Sequence, residues 1–105
     1  MLFRSDLVAA LLAFHAAPRM GEVYNIGGGP QNTISVWREF QPLLERYFEV
    51  EIPAVAGSWR PGDQRIYISD IRKAQSDLGW VPEVGVEGGI RRLIEWAREN
   101  REILL

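Results

Sequence analysis

The sequence predicts a small α+β domain with the element order α, β, α, β, β, α, α. Two observations support this fold class. Segments whose apolar residues are spaced three and four apart, which is typical of helices, alternate with short β-prone runs that end at glycine or proline. The 105 residues are 47% hydrophobic and 25% charged, which suits one globular domain with a single modest core. We therefore expect one domain over residues 1–105.

The first predicted helix opens the chain. Ser5 is a good N-cap residue, and Pro18 ends the segment. The apolar stripe between them consists of Leu7, Val8, Leu11, Leu12 and Phe14. Because no strand precedes this helix, it has few places to bury its stripe. The chain is therefore either a small α+β domain or a piece of a larger protein.

A glycine triplet at residues 27–29 separates the first strand from the second helix. Residues 22–26 are a short β-prone run that the glycines stop, and Ser35 is then the expected N-cap of the helix. Pro42 should kink this helix, because proline lacks the N–H that would bond to the carbonyl of Arg38.

Two further strand candidates follow. Residues 50–55 are β-prone, although Pro53 restricts them to a sheet edge or a bulge. Residues 64–69 alternate in the manner of a short strand.

Two helices complete the prediction. Asp70 is the expected N-cap of a two-turn helix with Ile71, Ala74 and Leu78 on one face. Gly79 is its left-handed C-cap, and Trp80 packs against that cap. The last helix runs from about Val86 to Ile103, and its expected buried residues are Ile90, Leu93, Ile94 and Ala97.

Composition argues against several classes of function. The net charge of -2, without clustered cations, gives no general attraction to nucleic acid. No apolar run reaches the roughly 18 residues of a membrane span, and no signal peptide pattern is present, so we expect a cytoplasmic protein. With no cysteine and a single histidine, His15, neither a metal site nor a Ser-His-Asp site is expected, and His15 should lie on the surface at a helix end.

The glycine triplet resembles a phosphate-binding loop only at first sight. A dinucleotide fingerprint needs glycine at its first, third and sixth positions. Counted from Gly27, the third position is Gly29, but the sixth is Asn32. No lysine followed by serine or threonine completes a P-loop either. The triplet is therefore expected to turn a strand into a helix, and we assign it no cofactor.

Arg60 and Asp63 are the candidate binding residues. Pro61 and Gly62 between them favour a type II turn, which holds its ends within about 7 Å. A guanidinium group can donate paired hydrogen bonds to phosphate, and a carboxylate can accept from the hydroxyls of a ribose. The pair could therefore bind a nucleotide diphosphate. The alternative is a surface turn with a local ion pair that contributes about 0–1 kcal/mol.

Neither the tryptophans nor the acidic residues add a catalytic site. Trp37, Trp59, Trp80 and Trp96 are expected mostly in core or cap packing rather than in a stacking platform. No spacing of the acidic residues sets two carboxylates across a cleft, so we assign no acid–base pair.

Four stretches in this order give the chain a family resemblance: residues 2–14, 21–35, 60–82 and 93–101. Together they resemble the C-terminal part of extended short-chain dehydrogenases, the NAD-dependent nucleotide-sugar epimerases and dehydratases. The stretches from Asn32 to Ser35 and from Asp63 to Ile71 are most similar to the CDP-paratose 2-epimerases, also called CDP-tyvelose epimerases. The resemblance covers nearly the whole chain.

The resemblance implies a two-domain enzyme of which this chain is the smaller, nucleotide-sugar-binding region. It places the family's pyrophosphate and ribose contacts on Arg60 and Asp63, for a CDP- or UDP-linked sugar. NAD and a Tyr-x-x-x-Lys motif would belong to a Rossmann domain that this chain lacks, since residues 28, 51 and 71, four after its tyrosines, are not lysine. The chain alone is then expected to be inactive, with no catalytic residue and no cofactor of its own.

An exposed apolar surface is expected from a missing Rossmann domain. The faces of the first helix and of the strand at Tyr24 would lose their partner, which predicts an exposed apolar patch, covered by rearrangement or by a second copy of the chain. The alternative function is a non-catalytic binding or self-association module derived from such an enzyme.

Overall fold

The structure is a computed structural model that describes residues 2–104. The described residues divide into two compact units. One is Ile34–Tyr67, and the other contains the described residues of Met1–Thr33 and Ile68–Leu105. We call the latter the first unit and Ile34–Tyr67 the second unit. The single domain over residues 1–105 stays a prediction.

The described residues form helices joined by irregular segments. The α-helices are α1 (Arg4–Ala16), α2 (Gln41–Phe48), α3 (Arg72–Leu78), α4 (Val86–Glu99) and α5 (Arg101–Leu104). A 3-10 turn at Pro30–Asn32 and a π-helical segment at Val36–Phe40 precede α2. No strand forms within residues 2–104, so the predicted strands at residues 22–26, 50–55 and 64–69 are wrong. The α+β class and its element order are not confirmed.

Hydrogen bonds at Ile52 explain why residues 50–55 do not join a sheet. The Gln41 amide donates to the Ile52 carbonyl at 3.0 Å, and the Ile52 N–H donates to the Glu45 carboxylate at 3.0 Å. Gln41 also donates to Glu45 at 3.0 Å. The Ile52 N–H, and then the Gln41 amide, lower the pKa of Glu45. Because side chains of α2 already satisfy both backbone groups of Ile52, no ladder bond remains for it to make.

The helical start of the second unit confirms the predicted cap at Ser35. Ser35 is the N-cap, since its hydroxyl accepts from the Arg38 N–H at 3.3 Å, and its own N–H donates to Glu39 at 2.7 Å. The helix is irregular before Pro42, while the kink predicted at Pro42 itself stays a prediction. The irregularity is a π turn, in which the Gln41 N–H bonds to the Val36 carbonyl before α2 begins.

The core of the first unit lies between α1, α3 and Trp80, which follows the C-cap of α3. Its buried residues are Ala10, Ile71, Ala74 and Trp80. The predicted face of α3 is confirmed, with Leu78 packed at its edge. Gly79 is the left-handed C-cap at φ 63°, as predicted, and Trp80 turns inward directly after it.

Asp70 is not the N-cap of α3, because Ile71 takes that position. Its carboxylate instead accepts from the backbone N–H of Arg72 at 3.1 Å and from the Arg72 guanidinium at 2.6 Å. The guanidinium first, and then the backbone N–H, lower the pKa of Asp70 from 3.8 to about 2.

The first helix buries a different face from the one predicted. It begins at Arg4 with Phe3 as its N-cap, so the Ser5 cap is wrong. Its buried residues are Asp6 and Ala10. The small side chain of Ala10 lets α1 lie against α3.

The apolar stripe of α1 points away from the core. Leu11 and Leu12 are 61% and 62% exposed, and Leu7 and Val8 are also exposed. This confirms the predicted apolar patch. Tyr24, by contrast, packs against the core and meets Phe14 edge to face, with ring centroids 6.3 Å apart.

The final helical region is interrupted. The predicted single helix divides at Asn100 into α4 and α5. Ile90 and Ile94 are buried as predicted, but Leu93 is exposed. The expected burial of Leu93 is therefore wrong, because Leu93 lies outside the buried side of α4, which carries Gly89, Ile90 and Ile94.

Buried Asp6 joins α1 to the segment after Trp80. Its two carboxylate oxygens accept from the backbone N–H groups of Glu83 and Val84, each at 3.1 Å. Its carbonyl accepts from the Trp80 indole N–H at 2.9 Å. One residue thus fixes Trp80 and the segment that follows it to the first turn of α1.

Candidate functional site

The turn from Arg60 to Asp63 forms as the sequence predicts. The Asp63 N–H donates to the Arg60 carbonyl at 3.1 Å, which closes a four-residue turn. Gly62, at the third position, has φ 85°, a left-handed conformation that glycine adopts without steric cost. These features are those of a type II turn with proline second and glycine third. The two candidate side chains are neighbours for this reason.

Arg60 and Asp63 form an ion pair through one atom of each group. The Asp63 Oδ2 atom accepts from the Arg60 Nε at 3.3 Å and from the Arg60 backbone N–H at 3.2 Å. The Arg60 side chain is 86% exposed. Neither its two Nη groups nor the Asp63 Oδ1 atom bonds to any residue in the part of the chain that the structure describes. Among the described residues, the turn therefore presents hydrogen-bond donors of Arg60 and an acceptor of Asp63 that have no protein partner.

A recess of about 540 Å³ adjoins this turn within the second unit. We call it the tryptophan recess, and its lining residues are Trp37, Ala54, Ala56, Gly57, Ser58, Trp59 and Asp63. Asp63 belongs to both the turn and the recess. The Arg65 guanidinium lies over the Trp59 ring, 5.1 Å from its centroid.

The two indoles of the recess are residues whose position the sequence analysis missed. Trp80 is buried as expected, but Trp37 and Trp59 are about 60% exposed, and Trp96 is also exposed. One signal in the sequence pointed to Trp59, which lies outside every periodic apolar segment and directly before the Pro-Gly turn. No such signal marked Trp37, which belongs to a helical stripe.

The glycine triplet is buried and bonded inside the first unit. The Gly29 N–H donates to the buried Ser69 hydroxyl at 3.0 Å. Gly29 has φ 70°, and a Cβ atom there would lie 2.9 Å from Ile71 Cδ1. Glycine is therefore required by packing at this position. The triplet does not fit the pyrophosphate of a dinucleotide, because all three glycines are buried and the Gly29 N–H is already bonded to Ser69.

Three further features of the described residues bear on possible chemistry and location. His15 is exposed in the last turn of α1, as predicted. Within residues 2–104 no group of three or more histidine, cysteine or acidic side chains is placed to hold a metal ion. No helix in this part of the chain has both the length and the apolarity to cross a bilayer.

Comparison with known proteins identifies relatives that share one type of substrate. No protein-family model matches the chain. It is 32% identical over 83 residues to a UDP-glucuronate 4-epimerase from Thermodesulfobacterium geofontis, an alignment covering 79% of the chain and 25% of that relative. It is 32% identical over 76 residues to a CDP-paratose 2-epimerase from Salmonella typhi, covering 72% of the chain and 22% of the relative.

A dTDP-glucose 4,6-dehydratase from Shigella flexneri is 35% identical over 106 aligned positions, covering 94% of the chain and 29% of that enzyme. The chain thus spans about a quarter of the relatives that it matches. The three identities are nearly equal, so similarity does not single out the CDP-paratose 2-epimerase. Over most of its length, the chain is a homologue of part of the nucleotide-sugar epimerases and dehydratases.

Proposed function

We propose that this chain is the nucleotide-sugar-binding region of an NAD-dependent nucleotide-sugar epimerase or dehydratase. The supporting observation is the Arg60–Asp63 turn, which presents open donors beside an open carboxylate oxygen. A CDP-sugar 2-epimerase is the more specific form of the proposal. It rests on the likeness of two stretches, residues 32–35 and 63–71, to the sequences of those epimerases.

The turn assigns a separate task to each side chain. The planar guanidinium of Arg60 can donate two parallel hydrogen bonds to oxygens of the diphosphate, a bidentate geometry that lysine lacks. The Oδ1 atom of Asp63 can accept from a ribose hydroxyl while Oδ2 continues to hold Arg60 in place. Both contacts bind and orient the substrate, and neither makes or breaks a bond.

The reaction itself would need residues outside this chain. In a longer enzyme, hydride transfer at a sugar carbon would be the chemistry that bound NAD supplies. The glycine triplet does not fit that cofactor, and the chain has no Tyr-x-x-x-Lys motif. We therefore expect the 105-residue chain to bind nucleotide without epimerase or dehydratase activity.

Nucleotide titration of the isotopically labelled chain tests the proposed site. CDP, UDP and dTDP are expected to shift the amide resonances of residues 60–63 at concentrations up to about millimolar. Arg60→Ala should weaken binding about tenfold or more, because a charged hydrogen bond contributes about 1.5–3 kcal/mol. Arg60→Lys should recover only part of the affinity, since it keeps the charge without the fork.

Arg91→Ala is the matched control, because Arg91 is an exposed cation on α4 and belongs to the first unit, whereas the turn belongs to the second. It should bind like the unaltered chain. Equal binding by Arg60→Ala and Arg91→Ala would refute the assignment of Arg60. Tighter binding of CDP than of UDP and dTDP would support the 2-epimerase form of the proposal, and equal affinity would argue against it.

The exposed face of α1 favours a second candidate function, a non-catalytic self-association module. In this candidate a second copy covers Leu7, Val8, Leu11 and Leu12. Sedimentation of the chain at about 100 µM should then give a dimer. Leu11→Glu should shift it to monomer, whereas Ala9→Glu, which adds the same charge at an exposed residue outside this apolar stripe, should not. A monomeric unaltered chain would contradict this candidate.

A further inference from the structure

We infer that one face of α4 is an interface between two copies of this chain, which pair with their α4 helices antiparallel. The face lines a recess of about 770 Å³ between α4 and the start of α1. We call it the α4 recess, and it is formed by residues 2–5 and by α4 residues between 89 and 99. It belongs to the first unit, whereas the Arg60–Asp63 turn belongs to the second, so the inference goes beyond the proposed nucleotide site.

The middle of the α4 recess is apolar and open to water. Leu93 is 54% exposed and Trp96 is 39% exposed, although Ile90 and Ile94 on the opposite side of the same helix are buried. Leu93 and Trp96 are three residues apart, so they share one face of the helix. A partner that covers both side chains removes a large apolar area from water, which favours association.

Charges of opposite sign border this apolar middle along α4. Arg92 lies on its N-terminal side and Glu99 on its C-terminal side, and both line the recess. Neither forms an ion pair with another of the described residues. The Arg92 guanidinium lies over the Phe3 ring instead, 5.5 Å from its centroid. The face of α4 therefore offers a cation and an anion that are both free to pair with a second molecule.

The charge pattern is complementary to itself when two α4 helices lie antiparallel. A twofold axis between residues 95 and 96 is equally far from Arg92 and Glu99, about 5 Å along a helix that rises 1.5 Å per residue. Arg92 of each copy then lies opposite Glu99 of the other, with Trp96 at the centre. Parallel helices would place like charges together, which opposes binding. Charge complementarity therefore favours a second copy as the partner.

Exchange of the two charges tests this interface. Sedimentation equilibrium at about 10–300 µM should show a monomer–dimer equilibrium for the unaltered chain. Arg92→Glu and Glu99→Arg should each raise the dimer Kd by about tenfold or more, because each turns two symmetry-related attractions into repulsions. The double variant should dimerise like the unaltered chain, since the exchange restores both attractions. Trp96→Ala should raise the Kd by about tenfold or more, because it removes the apolar centre.

Arg91→Glu is the matched control, because Arg91 is an exposed cation of α4 that does not line the recess. It should dimerise like the unaltered chain, and far-UV circular dichroism should show that every variant is folded. A monomeric unaltered chain, or a double variant as weakly paired as the single variants, would overturn the inference. A dimer that Leu11→Glu separates but Trp96→Ala does not would also overturn it, in favour of pairing through α1.

Discussion

Asp6→Ala is expected to lower the free energy of unfolding by about 2–4 kcal/mol. The carboxylate of Asp6 is buried and accepts from the N–H groups of Glu83 and Val84, each at 3.1 Å. Alanine leaves both half-buried donors without their acceptor, and each hydrogen bond to a charged group contributes about 1.5–3 kcal/mol before allowance for partial access of water. Urea unfolding followed by far-UV circular dichroism measures the loss.

Two variants test whether the carboxylate oxygens are responsible. Asp6→Asn keeps one acceptor oxygen, so its loss should be about half that of Asp6→Ala. Ser5→Ala removes an exposed polar group one residue earlier in α1 and should change stability by no more than about 0.5 kcal/mol. If Asp6→Ala is as stable as Ser5→Ala, the connection from α1 to Glu83 and Val84 does not stabilise the fold.

Trp80→Ala is expected to destabilise the chain by about 3–5 kcal/mol, the range for removing a large aromatic residue from a core. Trp80 is 4% exposed and packs with Ala10, Ile71 and Ala74. Its indole N–H also donates to the Asp6 carbonyl at 2.9 Å. Since a small domain is stable by only about 5–15 kcal/mol, this single change should bring the chain close to unfolding at ambient temperature. Thermal unfolding followed by far-UV circular dichroism measures the effect.

Trp37→Ala is the matched control for the removal of an indole. Because Trp37 is exposed, its loss should cost less than about 1 kcal/mol. Trp80→Phe should lie between the two, since it keeps most of the apolar area but loses the hydrogen bond to Asp6. Equal stability of Trp80→Ala and Trp37→Ala would contradict the placement of Trp80 in the core.

The combination of Asp6→Ala and Trp80→Ala should destabilise the chain by less than the sum of the two single changes. Both residues fix the same segment to the first turn of α1, so the second change has less structure left to release. The Arg60–Asp63 turn belongs to the second unit. Stability variants can therefore be chosen apart from binding variants, which allows folding and nucleotide binding to be measured separately.

Local chemistry made several features predictable from the sequence. The Pro-Gly pair of the Arg60–Asp63 turn, the cap at Ser35 and the left-handed Gly79 each depend on a few adjacent residues. The buried face of α3 also follows from residue spacing, because its apolar residues recur at the helical period. These features need no distant partner.

The predicted strands failed for a physical reason that the sequence does not contain. A β-prone segment becomes a strand only when a second segment satisfies its N–H and C=O groups. For Ile52 those groups are bonded to side chains of Gln41 and Glu45 instead. The β propensity of residues 50–55 was real, but propensity alone does not supply a partner.

The sequence by itself determined the Arg60–Asp63 turn, the caps at Ser35 and Gly79, and the apolar stripe of α1. Only the tertiary structure decided which side of α1 is buried, because Ala10 allows close packing against α3 while the larger stripe stays outside. It also decided that Asp6 is an interior acceptor and that Trp37 and Trp59 line a recess rather than a core. The spacing of apolar residues predicts which residues share a face of a helix. Whether that face is buried depends on the residues that pack against it, and these come from distant parts of the chain.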